Sequence, residues 1–84
     1  MPTKKIKAKK YSYTIIYEPI KEGGYQAIIP ILPGLITYGR DLKEAKIMAK
    51  DAIKCYLESL KKEKEKIPVE TSLLQERLTI SFAQ

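Results

Sequence analysis

The sequence predicts an α+β domain of order β-β-β-α-β, an antiparallel sheet with one helix packed on one of its faces. Three observations carry this. Short apolar runs alternating with period two occupy the first half of the chain; a longer stretch from Leu42 switches to a period near 3.6; and glycine and proline pairs punctuate the runs. A further alternating run near the C-terminus supplies the last strand.

The first strand spans residues 11–18. Tyr11, Tyr13, Ile15 and Tyr17 fall on one face, Ser12, Thr14, Ile16 and Glu18 on the other, and Pro19 ends it. Gly23 and Gly24 permit the positive backbone angles of a tight hairpin, so residues 25–29 return antiparallel, with Tyr25, Ala27 and Ile29 on one side and Gln26 and Ile28 on the other. Pro33-Gly34 suits a turn whose second central residue has positive φ. Residues 35–38 form a third strand, closed by Gly39.

Asp41 is placed to cap a helix over residues 42–64, with Glu44 reaching back to the Asp41 amide as in a capping box. Leu42, Ala45, Ala49, Ala52, Ile53, Tyr56, Leu57 and Leu60 form one apolar stripe that covers a sheet face, while Glu44, Asp51 and Glu58 lie opposite. The lysines of residues 61–66 suit the negative end of the helix dipole, and Pro68 prevents continuation. Residues 77–82 alternate again, with Leu78, Ile80 and Phe82 on one face and Thr79 and Ser81 on the other.

Length and composition bound the function. The 84 residues make one small domain, which buries only about 60–65% of its unfolded surface and gains from self-association. The net charge of +6 is uneven: Lys4, Lys5, Lys7, Lys9 and Lys10 sit in the first ten residues without an acid, leaving a nearly neutral remainder. Residues 1–10 therefore read as a basic flexible arm and residues 11–84 as the domain. Such an arm attracts phosphate backbones weakly and without reading sequence. There is one cysteine, Cys55, and no histidine, which leaves no disulfide, no zinc cluster and no near-neutral acid/base. No apolar run approaches a membrane span and no secretory signal is present, so the expected location is the cytoplasm.

The sequence holds no recognisable catalytic constellation. Catalysis by acid/base or paired metals needs carboxylates gathered in one pocket, and here only Glu18 lies within a strand; capping and solvated-face roles account for the others. Cys55 has no histidine to activate it. No catalytic residue, metal or cofactor is expected. Two surfaces are candidates for a partner or a second copy: Ile47, Met48 and Cys55 on the helix, which do not belong to the core stripe, and Leu78, Ile80 and Phe82 on the last strand. Tyr13, Tyr17 and Tyr56 read as core. Base stacking would need at least two tyrosines on the sheet face away from the helix.

These motifs resemble the HicB-like antitoxin family. The resemblance covers residues 13–70: the strand ending in Glu18-Pro19, the Glu22-Gly23-Gly24-Tyr25 hairpin, the Pro30-x-x-Pro33-Gly34 turn, Gly39 before Asp41-Leu42-x-Glu44-Ala45, then Ala52-Ile53 and Tyr56-Leu57. Leu35 departs from it, since family members often carry cysteine after the Pro-Gly pair. The resemblance implies a truncated, partial RNase H-like fold without the nuclease acids. It also implies an antitoxin that occludes HicA, a small toxin that cleaves messenger RNA. Many members append a helix-turn-helix or ribbon-helix-helix domain, for which residues 71–84 are too few. The expectation is a non-enzymatic toxin-masking protein, a dimer or tetramer; the alternative is a nucleic-acid-binding module using the lysine arm.

Overall fold

Gly23 and Gly24 adopt φ of 114° and 88°, angles open to glycine, and reverse the chain. The hairpin closes through the Ile20 N–H donating to Gly24 O at 2.9 Å and the Gly23 N–H to Ile20 O at 2.8 Å. In the computed structural model, which describes residues 9–83, this turn joins β1, Ile16–Pro19, to β2, Tyr25–Ile28. Because the Ile20 N–H faces Gly24, alternation turns the Pro19 position toward the free edge, where its missing N–H costs no ladder bond.

A double turn connects β2 to β3, Ile36–Gly39. The Leu32 N–H donates to Ile29 O at 3.1 Å, the Leu35 N–H to Leu32 O at 3.0 Å, and the Ile29 N–H to Leu35 O at 3.2 Å. Pro33 and Gly34 take the central positions expected of them, with Gly34 at φ 77°. The loop drives Leu32 into the core, where it and Ile29 are the largest fully buried side chains. All pairing is antiparallel, in the order β1-β2-β3.

The helix α1, Leu42–Lys62, begins where Asp41 Oδ1 accepts from the Glu44 N–H at 2.8 Å. Glu44 does not return to the Asp41 amide. Its carboxylate accepts from the Arg40 N–H at 2.8 Å and pairs with the Arg40 guanidinium at 3.1 Å, because Arg40 offers several donors to one acceptor. The helix also stops two residues before the expected end. The Lys64 N–H donates to Lys61 O at 3.1 Å and the Glu65 N–H to Leu60 O at 2.8 Å. With Lys64 at φ 57°, this is a Schellman closure that ends the helix upstream of Pro68.

Small residues bring helix and sheet together. Ala27 on β2 and Ala45 and Ala49 on α1 are fully buried, and Gly39 is buried beneath the first helical turn, where a Cβ would overlap the Ala45 backbone. Tyr13, Tyr17 and Tyr56 pack against this core with Ile15, Ile31, Leu35 and Ile53, as the sequence predicts.

Two strands differ from expectation. Residues 11–15 lie outside β1, because β2 ends at Ile28 and the chain turns away at Pro30, leaving them no ladder partner. Residues 77–82 are not a strand: residues 65–83 have no regular structure, and the segment runs exposed without docking on either open edge of the three-stranded sheet. The segment after the helix is tied down only at its start. The Tyr13 hydroxyl donates to Pro68 O at 2.6 Å, and Glu70 accepts from both the N–H and the hydroxyl of Thr14.

Candidate interaction surface

The strand register defines what the helix leaves uncovered. Tyr17, Ala27 and Thr37 face each other across the three strands, and Tyr17 and Ala27 join the core beneath α1. The side chains one residue away point to the other face. There Ile16 pairs with Ile28 and Ile28 with Ile36, so the three isoleucines form one unbroken row across the sheet. None of them is fully buried, and Ile36 is 52% exposed. The neighbouring row is polar: Glu18, Gln26 and Tyr38.

Beside the apolar row runs a groove of about 240 Å³ lined by Thr14, Ile16, Pro30, Leu73, Leu74 and Gln75. The C-terminal segment thus leaves the body at the edge of this row. Beyond it every described residue is exposed, including Leu74 at 98%, Leu78 at 73%, Ile80 at 78% and Phe82 at 84%. A second hollow, about 370 Å³, lies between residues 9–12 and Val69-Glu70 and carries Lys9 and Lys10 at its rim. Lys4, Lys5 and Lys7 lie outside the described residues.

On the helix, Ile47, Met48 and Cys55 are all exposed. Met48 and Cys55, seven residues apart, share one face beside the core stripe; Asp51 stands between them and Ile47, so the three do not make one continuous apolar patch. The carboxylates do not converge. Glu18 is exposed beside Gln26 and Tyr38, and among the described residues no group of three or more His, Cys, Asp or Glu is arranged to hold a metal. Tyr38 is the one tyrosine on the uncovered ladder, its hydroxyl donating to Gly23 O at 3.2 Å, which falls short of a base-stacking platform. Among the described residues, no helix is long and apolar enough to cross a membrane.

Tyr13 has a perturbed phenol. Its pKa is raised, chiefly by burial and then by the neighbouring Tyr11 and Glu70 charges, so the neutral form that donates to Pro68 is favoured. Tyr11 stacks on it with ring centroids 6.4 Å apart.

Residues 13–83 match the model of the HicB-like antitoxin family of bacterial toxin-antitoxin systems. The chain belongs to this family. Among curated relatives, UPF0150 protein Ta0767 of Thermoplasma acidophilum is 50% identical over 56 residues, which is 67% of this chain and 81% of that protein. UPF0150 protein ssr1765 of Synechocystis is 35% identical over 65 residues, 77% of this chain and 82% of the relative. Antitoxin HicB 1 of Photorhabdus laumondii is 38% identical over 61 residues; the match takes in 73% of this chain but 39% of that longer antitoxin. The family match extends through the exposed C-terminal arm, beyond the motifs that carried the resemblance in the sequence.

The isoleucine row is the surface that sequence reading missed. Its signal was present, since Ile16 and Ile28 fall off the core face of their strands; what was lacking was the register that brings them together with Ile36.

Proposed function

We propose that this chain is a non-catalytic antitoxin that binds a HicA-type, messenger-RNA-cleaving toxin and neutralises it by covering its active site. The observation that carries this reading is the HicB-like family match over residues 13–83. We assign the β1–β2–β3–α1 unit to a truncated RNase H-like domain serving as scaffold. A toxin that cleaves messages works in the cytoplasm, and its antitoxin would meet it there.

A masking interface of standard size takes about 800 Å² from each partner. The outward ridge of α1, with Met48 and Cys55 and with Ile47 across Asp51, is the toxin-facing candidate on the body. The lysines of residues 1–10 would add weak, salt-sensitive attraction to RNA or DNA around the complex.

The test is co-expression with the product of the adjoining reading frame. The two chains should co-purify, and RNA cleavage by the toxin should fall to background at equimolar antitoxin. Met48→Glu should weaken inhibition by roughly tenfold or more without changing the melting temperature. Undiminished cleavage in the presence of excess chain, with no complex formed, sinks the proposal.

A further inference from the structure

Two apolar surfaces have no partner among the described residues. One is the row Ile16–Ile28–Ile36 on the sheet face opposite the helix, and the other is the Leu78, Ile80 and Phe82 side of the C-terminal arm. We propose that the two are complements: the arm of one copy packs Leu78, Ile80 and Phe82 against the isoleucine row of a second copy, and the second copy returns its own arm in the same way.

The dimensions agree. Three alternate residues of an extended arm span about 13 Å, and three side chains on adjacent strands span about 10 Å. The chemistry agrees as well, because the arm's other side, Thr79 and Ser81, stays in water when the apolar side is covered. The arm cannot be reading its own sheet in the observed conformation, since Leu78, Ile80 and Phe82 are 73%, 78% and 84% exposed. The chain is tied to the body at Pro68 and Glu70, and from there Leu73 and Leu74, both exposed, run along the rim of the groove that also holds Thr14 and Ile16. From Leu74 to Phe82 the extended chain reaches about 27 Å, enough to cross to a neighbour docked at that face.

Each copy carries one arm and one row, so a two-fold exchange satisfies both without remainder, which is the closed arrangement that homodimers favour. Residues 71–83 are exposed throughout, so the arm carries apolar surface that a second copy can cover. This assembly does not depend on the toxin reading, and its test uses the chain alone.

Light scattering on the full chain at micromolar concentration should give twice the 9.6 kDa chain mass. Ile80→Lys and Ile36→Glu should each raise the dissociation constant by roughly 30-fold or more, giving monomers whose far-UV spectra are unchanged, because both side chains are exposed in the single chain. Mixing the two variants should restore the dimer: one arm-row contact is then native, and the other sets the introduced lysine of one variant against the introduced glutamate of the other. Met48→Lys should leave the dimer intact. A monomeric wild type, dimers that survive both substitutions, or a mixture that stays monomeric would each overturn the proposal. So would a dimer lost only in Met48→Lys, which would move the contact to the helix.

Discussion

Residues 16–62 and residues 71–83 are written in similar apolar patterns, yet one region is packed and the other is bare. In the body, each alternating run finds a neighbouring strand a few residues away, and the helix covers the face they share. In the arm, Leu78, Ile80 and Phe82 alternate as regularly as Ile16, Ile28 and Ile36 line up, and among the described residues nothing covers them. Alternation therefore records that a face is to be buried, and it carries no information about which molecule buries it. The difference also separates two kinds of sensitivity. Substitutions at buried body positions change the stability of the single chain, whereas arm substitutions leave it within about 0.5 kcal/mol, as expected for exposed sites.

The contrast is sharpest at Leu32. Its side chain is fully buried at the centre of the β2–β3 loop, and Leu32→Ala removes it and leaves a cavity, costing about 2–5 kcal/mol. The whole chain holds only about 4–13 kcal/mol. Thermal unfolding followed by circular dichroism should show a fall of ten degrees or more, or no cooperative transition at all. An unchanged melting temperature would break the view that the loop residue is core.

Gly39→Ala tests packing by addition. The new methyl would meet the Ala45 backbone, which cannot rotate aside as a side chain can, so a loss of about 1–3 kcal/mol is expected. Asp41→Ala removes the acceptor of the Glu44 N–H and should cost about 1 kcal/mol, read as a lower urea midpoint with the same slope. Lys64→Gly runs the other way: Lys64 holds φ 57° in the helix-terminating turn, and glycine there should stabilise by several tenths of a kcal/mol.

Much of the body was legible because its instructions are local. The two glycines of the hairpin, the Pro33-Gly34 turn and the Asp41 cap each act within four residues, and each stands where the sequence predicts it. What was not legible depended on partners far along the chain. Residues 11–15 have strand composition but lose their ladder when β2 ends. Glu44 chose Arg40 over Asp41 because a guanidinium was in reach. The isoleucine row needed a register between three strands, and the alternation of residues 77–82 does not say whether they dock on either of the two open sheet edges.

The junction of body and arm gives the finest test. Tyr13 donates to Pro68 O from the body side, and Glu70 closes the same junction on Thr14. Tyr13→Phe keeps the packing and removes that donor, so at neutral pH it should cost about 1 kcal/mol and speed hydrogen exchange around residues 68–70 while leaving α1 protected. The pH dependence fixes the cause. Because the Tyr13 pKa is raised above its ordinary 10.0, the fold favours the neutral phenol. The stabilisation is therefore complete below pH 10 and declines as the pH rises beyond it, when a phenolate can no longer donate and is repelled by Glu70. The difference between wild type and variant isolates Tyr13. That difference should shrink above pH 10; if it stays constant, the hydroxyl is not what ties the arm to the body.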